Sequence, residues 1–133
     1  MGLGPNYVLD KGLLVQGSAA VVQGTLYQGG TADQSATPHT AVNQRSIGVA
    51  QESVDAAKVA TGKVFADFRI LGIARVLAGA AIATRYTRVT ANALGRAIAH
   101  TPGTTTPVGI ALTTAAADGD FIDVLLTPGL GTN

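Results

Sequence analysis

Cysteine and tryptophan are absent, and methionine occurs once, at the first position. Without cysteine there is no disulfide framework, thiolate nucleophile, zinc knuckle or iron–sulfur site, and nothing marks a redox compartment. Charge is scarce as well. Asp, Glu, Lys and Arg make up 13% of the 133 residues, and nine cations against eight anions leave a net charge of +1. So small an imbalance gives no electrostatic footprint for DNA, RNA or an anionic membrane. Long apolar runs are missing too: the longest, Ile70 to Ala83, carries Arg75 and falls short of the ~20 residues of a membrane span. The segment Met1 to Gly12 lacks the basic start and apolar stretch of a signal peptide. Asn6 stands where a myristoylation motif needs Ser or Thr. Synthesis in a cytoplasm, with release by lysis, is the expectation.

What is present is apolar and small. Hydrophobic residues make up 47% and glycine occurs 17 times, so the chain is no polar disordered segment and has the length of one domain. Apolar residues fall in short runs bounded by Gly, Pro, Asn or Thr, the pattern of many short strands. The pattern predicts strands near Gly12–Gln16, Ala20–Tyr27, Ser46–Gln51, Lys63–Leu71, Ile73–Leu77, Ala81–Thr90, Arg96–His100, Pro107–Leu112 and Asp120–Leu126. Two of these alternate with a period of two. Val64, Ala66, Phe68 and Ile70 oppose Asp67 and Arg69; Ile122, Val124 and Leu126 oppose Asp123. One helix is predicted over Val54–Thr61, with Ser53 as its cap and Gly62 closing it. Gly29–Asn43 and Thr101–Thr106 read as surface loops and Thr127–Asn133 as a loose tail. The fold class is therefore all-β with at most one short helix, a small β-barrel or β-sandwich.

A weak internal repeat supports this. Ile47-Gly48-Val49-Ala50 leads through Gly62 to Ala66-Asp67-Phe68-Arg69-Ile70; Val108-Gly109-Ile110-Ala111 leads through Gly119 to Ile122-Asp123-Val124-Leu125-Leu126. Such a repeat reads as two related hairpins, with the strand glycine marking a bulge or a close backbone approach.

Groups able to exchange protons or attack are few. The histidines are His39, in the predicted loop, and His100, at a strand end; neither comes with a nucleophile motif. Asp118, Asp120 and Asp123 lie close in sequence. Asp120 and Asp123 fall on opposite faces of a strand, and the segment lacks the spaced oxygens of a calcium loop. Asp118-Gly119 reads as a hairpin turn. Gly62-Lys63 has neither the preceding glycine nor the following hydroxyl of a Walker A loop. No catalytic, cofactor-binding or metal-binding residue is expected. In Arg85-Tyr86-Thr87-Arg88 a strand would set Arg85 with Thr87 and Tyr86 with Arg88, residue types favoured at protein interfaces.

Taken in order, these pieces resemble a known family. Gly72-Ile73-Ala74-Arg75-Val76-Leu77-Ala78-Gly79-Ala80-Ala81-Ile82-Ala83 is similar to the middle of tailed-phage capsid decoration (cement) proteins. So are Val89-Thr90 with Gly95-Arg96-Ala97, the ending from Val108 through Gly119-Asp120 to Pro128-Gly129, and the front, Asn6-Tyr7-Val8 and Ile47 to Glu52. Tyr86-Thr87 departs from the pattern, where relatives carry a glycine and an acidic residue. The resemblance implies a non-enzymatic virion protein on the outer surface of the expanded head, partnered by the major capsid protein and assembled as a homotrimer. Nucleic acid and membrane are not expected partners. It also implies a flexible N-terminal arm, residues 1–11, before one β-rich domain, 12–133. Leu3, Pro5, Asn6, Tyr7, Val8 and Leu9 are the candidate capsid contacts, suited to strand addition; Arg85, Tyr86 and Arg88 are the candidate subunit interface. The rival readings are a small β-barrel module binding carbohydrate or another ligand, and a phage DNA-handling protein.

Overall fold

One long strand organises the chain. The computed structural model describes residues 8–42 and 44–127. Within them run β1 (Leu9–Val15), β2 (Leu26–Gly29), β3 (Ser35–Pro38), β4 (Ser46–Ala50), α1 (Ala56–Val59), β5 (Phe65–Leu77), β6 (Arg88–Ala91), β7 (Ala97–Ala99), β8 (Gly109–Ala111) and β9 (Phe121–Leu126). Strands β1, β3, β2, β4 and β5 follow one another round a closed barrel, because β1 pairs with β3 on one side and with β5 on the other. The β1–β3 pair is parallel and the others antiparallel. Closure removes the open strand edges of a flat sheet. The expected all-β, barrel-type fold is what the chain adopts.

The second half of β5 starts another sheet, in the order β5, β9, β8, β6, β7. This sheet curls until β7 returns to the end of β5. Ala78 and Ala97 form a parallel bridge, and the Gly79 N–H donates to the Ala97 carbonyl at 2.7 Å. Its interior holds Val76, Ile82, Val89, Ile122, Val124 and Leu126 among six alanines, Ala74, Ala78, Ala91, Ala97, Ala111 and Ala115. The alanine content has its reason here: a tightly curled sheet has a narrow interior, filled by small residues set between larger ones. Alternation couples the two cores. Along β2 and β4, Tyr27 and Ala50 enter the barrel while Leu26 and Val49 join the second core. Phe68 fills the barrel, fully buried and tilted against Tyr27 with ring centroids 5.0 Å apart.

The sequence predicts two strands where β5 is one. The chain bends rather than breaks. Asp10 lies opposite Arg69 but Leu9 lies opposite Leu71, so Ile70 is an extra residue, and Gly72 adopts φ +104°. Arg69 clamps the bend. Its guanidinium holds both Asp10 carboxylate oxygens, at 2.8 and 3.1 Å, and donates to the Ile73 carbonyl at 3.0 Å.

Other expectations need correction. The segment read as a loop, Gly29–Asn43, contains β3, with Ser35 and Ala36 buried. The Ser35 hydroxyl donates to the Ala32 carbonyl at 2.6 Å, so a polar residue sits in the wall without loss. The strand expected over Ala20–Tyr27 starts only at Leu26; before it, Val21 makes a single bridge to Val54, and Gly24 turns the chain at φ +88°. The strand expected over Ala81–Thr90 is likewise confined to β6, because Tyr86 sits at φ +64°. The helix starts after Asp55, not Ser53, whose hydroxyl instead accepts from the Gln23 N–H at 2.9 Å. Gly62 closes it as expected, at φ +72°. β1 begins at Leu9, so residues 9–11, assigned above to the arm, are paired to β5.

The repeat corresponds to two hairpins, β4–β5 and β8–β9, set side by side through the β5–β9 pairing. The repeated glycine marks close backbone approach in both. A Cβ on Gly48 would stand 2.9 Å from the Arg69 carbonyl oxygen; one on Gly109 would lie closer still to that of Leu125.

Candidate interaction surface

Register, read across strands, lines up one row of outward side chains. Leu9 lies opposite Leu71, Ile73 opposite Leu125, Leu125 opposite Ile110, and Ile110 opposite Arg88. Leu71 and Ile73 are two residues apart on β5. Leu9, Leu71, Ile73 and Leu125 keep 52, 45, 38 and 38% of their surface exposed. Scattered exposed leucines are ordinary; a row joined by register is an apolar patch. One step along β5 and β9, Arg75 lies opposite Asp123, and beyond them Leu77 lies opposite Phe121. The Arg75 guanidinium sits 5.6 Å from the centre of the Phe121 ring. Among the described residues neither Arg75 nor Asp123 makes an ion pair, whereas Arg69 holds Asp10 and Arg96 holds Asp118 at 2.7 Å. The Arg69 hydrogen bonds hold the Asp10 carboxyl below its ordinary value.

The row joins the two groups of residues singled out in the sequence. Leu9 stands at one end and Arg88 at the other. Val8 is exposed beside Leu9; Leu3, Pro5, Asn6 and Tyr7 lie outside the described residues. Arg85 and Tyr86 precede Arg88 on a turn and not on a strand, so the two-faced arrangement expected for Arg85 to Arg88 does not form. Tyr86 is 72% exposed and left-handed, a conformation unusual for a bulky side chain. Its N–H donates to the Ala111 carbonyl at 2.6 Å, and the Thr87 hydroxyl donates to Thr84 at 2.8 Å. The turn is thus held firmly while the ring points at solvent. Leu71, Ile73 and Leu125 were not singled out in the sequence. Their signal is present: Ile70-Leu71-Gly72-Ile73 and Leu125-Leu126 are apolar on both faces, whereas a strand against water on one side alternates.

The remaining candidates are structural in their contacts. His39 is buried, and its Nε2 pairs with the Ser46 hydroxyl at 2.8 Å; burial holds its pKa below the ordinary value. His100 Nδ1 pairs with the Thr105 hydroxyl at 2.7 Å. The Asp120 carboxylate accepts from the Ala116 and Ala117 N–H groups at 2.9 and 3.1 Å, pinning the turn before β9. Among the described residues no three His, Asp or Glu side chains gather to hold a metal, and no helix is long and apolar enough to cross a membrane.

Two curled β-sheets sharing a bent strand make an arrangement that solved structures contain. The fold is similar to that of the head fiber gp8.5 N base of bacteriophage phi29. The match has a TM-score of 0.67 and covers 96% of this chain and 98% of the phage chain, at 18% sequence identity. At that identity the likeness is one of fold. No family model matches the sequence, and no curated protein does.

Proposed function

We propose that this chain is a non-catalytic structural protein of a phage virion. It binds the outer surface of the expanded head and braces the shell against the pressure of packaged DNA. The observation carrying this reading is the fold, shared over nearly the whole of both chains with a protein described as the base of a phage head fiber. The order of motifs resembling capsid decoration proteins supports it independently. The partner is the major capsid protein, and three copies occupy each local three-fold position of the shell. A trimer touching several capsid subunits gains avidity from many modest contacts, and binding the expanded shell alone stabilises that state by mass action. The turn at Tyr86 and the chain around Val8 and Leu9 are the contact elements.

Co-sedimentation with undecorated heads of the same phage, expanded and unexpanded, tests this. Saturable binding to expanded heads alone is the expected result, and binding to neither form overturns it. A ligand-binding reading rests on one feature, a groove of about 470 Å³ lined by Val22, Tyr27, Pro38 and Leu94. A glycan screen decides it.

A further inference from the structure

The outward face of the second sheet carries its side chains in matched cross-strand couples. On β5 and β9 the outward residues form three couples at equal height: Ile73 with Leu125, Arg75 with Asp123, and Leu77 with Phe121. The middle couple carries one charge of each sign, and neither is taken up by an ion pair among the described residues. A surface holding both members of a charge couple side by side has no net sign with which to select an oppositely charged foreign partner. It is complementary to itself. A two-fold axis parallel to the strands, lying between β5 and β9, exchanges the two strands without changing their height. It sets Arg75 of one copy over Asp123 of the next, Ile73 over Leu125, and Leu77 over Phe121. The same operation brings the outer strands over one another, Leu9 on β1 towards Ile110 on β8.

From this self-complementarity of the β5–β9 face we infer that two copies of the chain pack isologously through it, with Ile73 and Leu125 as the apolar centre and reciprocal Arg75–Asp123 pairs beside it. Isologous contacts use one patch on both partners, which this register provides. The patch is narrow, so the association belongs to the weak, concentration-dependent class. It goes beyond the proposed place on the head: copies grouped at local three-fold positions of a shell face one another across two-fold positions, the symmetry this patch requires.

Sedimentation velocity over a concentration series, without heads present, tests the inference. Wild type should pass from monomer towards even-numbered species. Leu125→Asp should weaken this by about tenfold or more, the loss of a central apolar anchor. Arg75→Asp or Asp123→Arg alone should weaken it similarly, by setting like charges against each other. The double variant Arg75→Asp/Asp123→Arg should restore it, because both couples are then reversed together. Unchanged thermal unfolding of each variant shows that the fold is intact. A wild type whose mass does not double with rising concentration, or a double variant no better than the singles, overturns the inference. Because heads are absent, failure to bind heads would refute the proposed function and leave this contact standing.

Discussion

Alanine at Gly109 is the sharpest test of how these two sheets are held together. The added methyl would meet the Leu125 carbonyl oxygen and the Val124 Cγ1, both well inside contact distance. One of the two obstacles is backbone, so no change of rotamer relieves it. β8 must move away from β9, straining the Gly109–Leu126 pairing and opening the interior that holds Val124 and Leu126. Overpacking of this kind costs about 1–3 kcal/mol, and a clash with main chain belongs at the upper end. At the average unfolding entropy per residue, about 3 kcal/mol lowers the melting temperature of a domain this size by roughly 10 °C. Two other glycines serve as controls. A Cβ at Gly12 meets only an Asp67 carboxylate oxygen, at 3.7 Å, and none of the strain applies. Gly62 has open space but φ +72°, so Gly62→Ala should cost only the left-handed penalty of roughly 1–2 kcal/mol. Thermal unfolding followed by circular dichroism reads all three. If Gly109→Ala melts within about 2 °C of Gly12→Ala, the close approach is not a constraint on the fold and the reasoning fails.

Three further outcomes follow from the same contacts. Phe68→Ala empties the centre of the barrel and should destabilise by about 3–5 kcal/mol in chemical denaturation; a cost near 1 kcal/mol would mean that the barrel collapses to fill the space. The Asp10 carboxyl is held below its ordinary value by Arg69, so its contribution is present above pH ~4 and is lost as pH falls through the folded value. Asp10→Asn should therefore differ from wild type at pH 7, by less than about 1 kcal/mol for so exposed a pair, and match it near pH 2. A gap that widens in acid would contradict the assigned pairing. Tyr86→Gly removes the strain of a bulky residue at φ +64°, so it should leave stability equal or raise it by about 1 kcal/mol. Head binding in co-sedimentation should fall at the same time, and if it does not, the turn is no contact.

What could be read from the sequence was set by whether a strand keeps one face in water. β9 and the first half of β5 alternate apolar with charged residues, and both were legible. β3 was not, because its place in the barrel wall admits only small side chains: Ser35, Ala36 and Thr37 look like a loop until their neighbours are known. Ala20–Tyr27 and Ala81–Thr90 failed the opposite way. Each holds enough β-branched and aromatic residues to read as a strand, yet each is broken by one residue with positive φ, Gly24 or Tyr86. For Gly24 the conformation is written in the residue type; for Tyr86 only tertiary contacts impose it. The apolar row at Leu71, Ile73 and Leu125 was passed over for a related reason. The core face of each strand is wholly apolar, whereas the outward face mixes Leu71, Ile73 and Leu125 with Asp67, Arg69, Arg75 and Asp123, so its apolar members do not stand out.

The closure of the barrel and the curl of the second sheet leave few open strand edges among the described residues. A flat sheet offers its edges to any extended segment, and strand addition needs no particular side chains. Here β1 is paired on both sides, β4 lies between β2 and β5, and β7 returns to the end of β5 through the Ala78–Ala97 bridge. The described body therefore has little edge to give. The remaining contacts fall to faces and turn tips, where side-chain chemistry decides affinity. The apolar row and the Tyr86 turn are then complementary features. The row runs from β1 across β5 to β9, and the Tyr86 turn leads into β6, so both stand on faces and turn tips rather than on strand edges.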